Sequence, residues 1–489
     1  MDDLETQPAD RSQARRFIAL LVIGVATAQA LGLALKMPTQ LGANDISRWC
    51  TVWSLLERGT YAIDDCPWKA KTQDKVQRAA PFQKTAPGQE PATHFYSSKP
   101  PLTPTLMAGL LYPARAVSGV PLDRVIVQKR SERWVEKDVP GATGKTEFVL
   151  ETPKEPLEWP AYVFYLKPMI VLGNVVPLWA FLVLYARLLD RHAANDWAWF
   201  LSLFAAAFGS LLFAFDTTLN NHTIAASSAF FAIYSLVRIW DDGVPSPRHF
   251  VSAGFFGAFC ACNELPAALF GIGLFAMLLV RFPRKTLLWF APAAAVPCLA
   301  FLATQYLAFG QFKPVYEEFG TKSYTYAGSY WNTPLEMDYL TTHPEPYPIY
   351  LFHMTFGHHG VFSLTPLFLF SIYGGLRLVF GKKQPMRATA ALTLALTAAM
   401  LAFYTWNPKA RNYGGSTQGL RWLFWLVPFW FVLLPRGVEG GEARRWARGL
   451  ALAALCVSVF SVGYAIRSPW THPWVLDLLE HLNLYTLKR

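Results

Sequence analysis

The sequence predicts an all-α polytopic membrane protein, and three observations carry that class. Of 489 residues, 53% are hydrophobic and only 16% charged. Apolar runs recur at close to the ~20 residues a helix needs to cross a bilayer core. Lys and Arg gather between alternate runs, as cytoplasmic loops do. Abundant apolar residues exclude a largely disordered chain, and six Cys without collagen or heptad periodicity exclude fibrous and disulfide-scaffold classes.

Eleven runs read as spans: 17–35, 168–186, 197–215, 222–240, 250–263, 266–281, 287–308, 361–380, 388–406, 420–435 and 447–466. The fifth and sixth are short for a crossing. With the N-terminus inside, eighteen Lys and Arg fall on inner segments, from Arg15-Arg16 and Arg187 to Arg445 and Arg448, against Lys409 and Arg411 on the short outer loops. Arg15-Arg16, an apolar run and Ala26-Thr27-Ala28 have the layout of a secretory signal. The run continues through Leu35, so an uncleaved first helix is expected.

The organisation follows: a cytoplasmic tail over 1–16, the first span over 17–35, an extracytoplasmic segment over 36–160, spans two to seven within 161–308, a second outer segment over 309–360, spans eight to eleven within 361–466, and an outer tail over 467–489. The expected location is the bacterial inner membrane, with the working site on the periplasmic side. The net charge of +11 is dealt out loop by loop rather than concentrated on one soluble face, which excludes a nucleic-acid partner.

Within 36–160, Ile46, Trp49, Val52, Trp53 and Leu56 recur at helical spacing before Arg58-Gly59, predicting an amphipathic juxtamembrane helix with a glycine C-cap. A second short helix is expected over 102–112, after Pro100-Pro101. Residues 66–95 read as a surface loop, and 128–158 as a lid or small subdomain in which hairpin strands are possible. Cys50 and Cys66 could close a disulfide loop or stay as buried thiols. The aromatic set Tyr316, Tyr324, Tyr326, Tyr330 and Trp331 offers faces for sugars or isoprene units.

Polar residues near a bilayer are costly and usually face a cavity. They cluster on the outer side: Asn44-Asp45 with Ser47-Arg48; Ser97-Ser98-Lys99; Asp216 with Asn221-His222; Asn263-Glu264; His353, His358 and His359; and Tyr413 with Arg421. Asp45 could cap the amphipathic helix or act as a general base towards an acceptor hydroxyl. Lys99 could anchor at the interface or meet a lipid-linked phosphate. No His-Glu-x-x-His element occurs, and the three His lack i, i+4 spacing, so a metal-free site is expected.

Asp45 after the first span, then Arg48-Trp49, Glu57-Arg58-Gly59-Thr60-Tyr61 and Tyr96-Ser97-Ser98-Lys99-Pro100-Pro101-Leu102, resembles the opening of GT-C fold membrane glycosyltransferases. The similarity is nearest to the lipid A aminoarabinose transferases and protein O-mannosyltransferases, and in motif it covers about the first 110 residues. It implies Asp45 as catalytic base and Lys99 on the phosphate of a polyprenyl-phosphate sugar, the donor substrate, with no cofactor required. Arg421, Arg48, His358 and His359 are the further phosphate candidates; Arg421 could make a bidentate contact that Lys cannot. Asn44, Ser98, Asp216, Asn221, His222, Glu264 and Tyr413 are the substrate candidates. The acceptor would be a glycolipid, polysaccharide or protein. Ile46, Ser97-Ser98 and the longer Asp45-to-Lys99 connection depart from the family pattern and leave donor sugar and acceptor open. The alternatives are a transporter or flippase, which the lack of an internal repeat disfavours, and an assembly protein using 36–160.

Overall fold

Glycine and proline set the limits of the elements that matter most for the site. In the computed structural model, which describes residues 8–38, 42–82, 91–128, 132–138, 140, 146–151, 157–332, 345–382, 384–407 and 411–485, helix α1 (Pro8–Lys36) is followed by α2 (Ala43–Arg58). Gly42, in extended backbone, precedes α2, and Gly59 ends it with φ at +67°, the left-handed cap expected of a glycine. Helix α3 (Leu102–Ser118) starts after Pro101 and stops at Gly119, also left-handed. It runs past the predicted 102–112. Glu57 ties the two helices together: Arg115 donates to both its carboxylate oxygens at 2.8 Å, and the Leu122 N–H donates to Oε1 at 3.0 Å.

The remaining helices are α4 (Tyr162–His192), α5 (Asp196–Phe215), α6 (Asn221–Trp240), α7 (Pro247–Asn263), α8 (Leu265–Arg281), α9 (Pro283–Phe309), α10 (Tyr347–Thr355), α11 (Val361–Leu364), α12 (Leu367–Phe380), α13 (Arg387–Trp406), α14 (Arg421–Gly441), α15 (Arg445–Ala465) and α16 (Trp474–His481). Eight of the described helices are long and apolar enough to cross a membrane, namely α1, α4, α5, α6, α9, α13, α14 and α15; α8 and α12 are shorter apolar helices. Every predicted run is mainly helical, but 197–215 bends out of helix at Gly209-Ser210-Leu211 and 361–380 is not one continuous helix. The chain breaks at Thr365-Pro366, between α11 and α12, where Pro cannot donate and its ring clashes with the preceding turn.

Helix α14 is central: 83% of its apolar window is buried, against 17% for α9, 28% for α1 and 33% for α15, whose apolar faces point outward. Its partner α12 approaches through glycines. A Cβ on Gly437 would sit 1.9 Å from the Phe370 carbonyl oxygen, and one on Gly374 2.5 Å from that of Leu433. Small residues let apolar helices approach this closely. Gly437→Leu is therefore expected to cost on the order of 3 kcal/mol, read as a lower melting temperature in detergent. Gly440→Ala, with nothing within 4 Å, should leave that temperature unchanged.

One set of ion pairs joins the short loops between helices. Arg15 pairs with Asp196, Arg191 and Arg238 with Asp242, and Arg377 and Arg436 with Glu439. These lie on the segments predicted to be inner. Lys383 and Lys409 fall outside the described residues.

Strand is present as well, which an all-α reading omits. Strands β1 (Lys75–Ala79) and β2 (Thr93–Ser97) pair antiparallel, and β3 (Val125–Gln128) pairs with β6 (Leu157–Pro160) around the ribbon of β4 (Arg133–Asp138) and β5 (Thr146–Glu151). The last two pairs occupy the 128–158 region where hairpins were an option. The first corrects the surface-loop reading of 66–95. Its Val76 and Tyr96 form a small core with Val315 and Tyr324, against which Phe319 and Trp331 pack. Tyr324 and Trp331 are thus structural here, not open faces for a sugar. Cys50 and Cys66 are buried, adjacent free thiols.

Candidate functional site

The β1–β2 register builds half of the site. Because Lys75 pairs with Ser97, the residue just before β1, Asp74, is held beside the residues just after β2. The Ser98 N–H donates to the Asp74 carbonyl at 3.0 Å, and Lys99 Nζ lies 3.2 Å from the Asp74 carboxylate. Helix α2 docks on the same point: Ser47 Oγ donates to the Asp74 carbonyl at 2.5 Å and meets Ser97 Oγ at 2.6 Å.

One turn along α2 from Asn44 stands Arg48, buried, with Nη1 3.4 Å from both oxygens of Asn44. Its Nη2 donates to Asn221 Oδ1. Asn221, at the start of α6, donates in turn to Glu264 at 2.6 Å and to the Asn263 carbonyl at 2.7 Å. His222 pairs with Glu264 through Nδ1. Burial pushes the Arg48 guanidinium down to about 10, partly offset by Asp45 and Asp74, so it stays cationic at neutral pH. Burial also lowers the Lys99 ammonium below the ordinary lysine range; Asp74 opposes that shift, and Arg48 and Arg421 add to it.

Arg421 enters from the start of α14, within electrostatic reach of Asp74, Glu264 and Asp45. Its Nε and Nη1 are buried and have no hydrogen-bond partner among the described residues. Gly414, at φ +91°, packs behind it: a Cβ there would lie 3.3 Å from Arg421 Nε. The Tyr413-Gly414-Gly415 segment thus brings its backbone close to the arginine, as glycine permits.

Asp45 lies in the first turn of α2 and is fully buried. Its Oδ2 accepts the Gly42 N–H at 3.2 Å, so the capping contact is real, and it also accepts the indole N–H of Trp470 at 3.0 Å. Asp45, Arg48 and Arg421 influence one another's charge, and Lys99 senses Arg48 and Arg421. The fold therefore gathers Asn44, Asp45, Arg48, Ser98, Lys99, Asn221, His222, Glu264 and Arg421 at one end of the bundle. Tyr316 also lies within reach of Glu264.

Four candidates lie elsewhere. His358 and His359 are fully buried, their Nδ1 atoms 2.5 Å apart, and pack on His353, Tyr413, Tyr485 and His472. Burial and neighbouring imidazoles hold His358 far below the usual range and push His359 down to about 3, which leaves both neutral. Tyr413 belongs to this cluster and donates its hydroxyl to Glu345. Asp216 lines a small, mainly apolar cavity with Leu178, Phe181 and Pro428, where burial raises its carboxyl well above the usual range. Among the described residues, no group of three or more His, Cys, Asp or Glu is arranged to hold a metal ion.

Two residues of the site carry no signal in a linear reading. Asp74 sits in the segment read as a loop, and only strand pairing brings it to Lys99. Trp470 comes from the tail after the last span. Asp74→Ala leaves the half-buried Lys99 without its carboxylate, at an expected cost of about 2 kcal/mol. Thermal melts should show the drop, and millimolar inorganic phosphate should recover more of it than it adds to the wild type.

An apolar cavity of about 240 Å³ lies between α3, α4, α6 and α7, lined by Leu106, Met107, Leu110, Leu172, Phe231 and Phe256. Thr103 on its wall donates to Asn263 at 2.9 Å, which joins the cavity to the polar cluster. Leu106, Leu110 and Leu172 are also exposed at the bundle surface. No protein-family model matches this chain, and no curated protein matches it significantly.

Proposed function

We propose that the protein is a GT-C-like integral membrane glycosyltransferase of eleven spans that moves a sugar from a polyprenyl phosphate to an acceptor on the extracytoplasmic face. One observation carries the reading: Asp45 and the cations Arg48, Lys99 and Arg421 gather in a polar cluster that Thr103 and Asn263 join to an apolar groove between the helices. The groove suits an isoprenoid chain, and the cations suit the phosphate at its end. The unpartnered Nε and Nη1 of Arg421 are the donors such a phosphate would occupy, and a guanidinium binds it more specifically than an ammonium does. The eighteen-to-two charge asymmetry of the loops supports placing this end outside, with the N-terminus in the cytoplasm and the chain in a bacterial inner membrane.

The reaction balances without a redox partner. The acceptor hydroxyl attacks C1 of the sugar from the face opposite the phosphate, and its oxygen bonds to C1. The C1–O bond to phosphate breaks, and the phosphate keeps the electron pair and stays on the lipid. The hydroxyl proton passes to the Asp45 carboxylate. Arg48, Lys99 and Arg421 stabilise the second negative charge that develops on the departing phosphate. The sugar leaves with inverted configuration at C1. Asn221, His222 and Glu264, linked to Arg48, border the space where its hydroxyls would lie.

The test uses purified protein with radiolabelled polyprenyl-phosphate pentoses and hexoses, with water, membrane glycolipid and membrane protein as acceptors. Release of free polyprenyl phosphate is the expected result. Movement of intact donor across a vesicle membrane, with no bond cleaved, would contradict it and favour a flippase.

A further inference from the structure

We propose that Trp470, in the tail after the last long helix, is a positioning residue that holds and orients the Asp45 carboxylate. The inference rests on the reading of Asp45 as the base, and it assigns a second, separable duty to the same indole.

The ring bridges the two halves of the site. Its N–H donates to Asp45 Oδ2 at 3.0 Å, the oxygen that also accepts from the Gly42 backbone at 3.2 Å. Its face lies under Arg421, whose guanidinium carbon is 4.8 Å from the ring centroid. Its edge meets Phe215 at 5.2 Å, near-perpendicular. A Cβ built on Gly42 would fall 2.9 Å from the indole Cδ1, so residue 42 has no room for a side chain while the ring keeps its place.

The turn that carries Trp470 is clamped. The Gln418 backbone N–H donates to the Pro469 carbonyl at 3.0 Å, and its side-chain amide donates to Thr471 Oγ1 at 2.7 Å and to the His472 carbonyl at 2.6 Å. Gln418 lies three residues before Arg421. One short segment therefore fixes both the arginine and the turn that supports the indole beside it.

Two N–H groups on one carboxylate oxygen favour the ionised form and fix its plane. Among the described residues, Arg48 from the same helix and Arg421 from α14 are cations within electrostatic reach of Asp45, and both act in the same direction. Removing the indole N–H alone makes the carboxylate hold a proton more tightly and frees it to rotate. A base must be ionised to accept a proton, so the acid limb of the pH–rate profile moves to higher pH.

Trp470→Phe keeps an aromatic face for Arg421 and Phe215 and deletes only the donor. With the labelled polyprenyl-phosphate donors, kcat is expected to fall about 10-fold and the acid limb to rise by about one pH unit, while the donor KM stays within about twofold. Gly42→Ala, compatible with the extended backbone there, should reproduce the kcat and pH effects by displacing the ring. Trp470→Ala, which also removes the support under Arg421, should raise the donor KM as well. Unchanged kcat and pH profile in Trp470→Phe, with Asp45→Asn inactive, would overturn the positioning role alone. Wild-type turnover in Asp45→Asn would overturn it together with the reading of Asp45.

Discussion

Asp45→Asn is expected to slow sugar transfer by about 10³-fold, at the upper part of what a positioned base contributes, while the donor binds as before. The amide can still accept the Gly42 and Trp470 N–H bonds through its oxygen, so the helix start and the indole stay in place. What it cannot do is take the acceptor proton. In the proposed reading donor affinity resides in Arg48, Lys99 and Arg421, which the substitution leaves in position. Equilibrium binding of a polyprenyl phosphate together with single-turnover kinetics separates the two: the first unchanged, the second nearly abolished. Melting temperature should shift little, which distinguishes lost chemistry from lost structure.

Lys99→Ala is expected to lower kcat/KM by about 10²-fold, through both donor affinity and the leaving step. The ammonium is held by Asp74 at 3.2 Å, so a phosphate must share or displace that carboxylate. Combining Lys99→Ala with Asp74→Ala removes both charges and should restore stability without restoring turnover. Alkaline pH gives an independent readout. Burial lowers the Lys99 ammonium from the ordinary lysine range, so its proton is lost earlier as pH rises, and the donor KM should climb at alkaline pH. Lys99→Arg keeps the charge to far higher pH and should move that climb upward. An identical alkaline KM profile in wild type and Lys99→Arg would separate the residue from the phosphate.

Much of the scaffold was legible because its signals are local. Apolar runs of membrane-spanning length mark helices whatever packs beside them, and Arg58-Gly59 marks the end of α2 by backbone conformation alone. The break at Thr365-Pro366 was equally local, yet the apolar residues on both sides hid it within one run. The β1–β2 ribbon was not legible, because Lys, Gln and Pro around its strands read as a loop. Its Val76 and Tyr96 are buried only through contacts with Val315 and Tyr324, far along the chain.

The same division holds at the site. Asp45, Arg48 and Lys99 stand beside helix starts and turns that a linear reading can place near one interface. Asp74 reaches Lys99 through strand register, and Trp470 reaches Asp45 across 425 residues of chain; neither contact has a sequence period. His358, His359 and Tyr413 show the reverse error. They share an end of the bundle with Lys99, but α10, the 411–420 loop and the tail fold them into an aromatic cluster of their own. Sharing a side of the bundle did not mean sharing a cavity.

The central claim is that one carboxylate and three cations act on a single bond, the one between C1 of a sugar and a lipid phosphate. Phosphorus NMR of the purified protein with a polyprenyl-phosphate sugar watches that bond directly. Conversion of the phosphodiester resonance to a monoester in wild type, lost in Asp45→Asn and strongly slowed in Lys99→Ala, is the predicted result. A phosphodiester signal that persists in wild type with every donor and acceptor offered, or that decays equally in all three proteins, would contradict it.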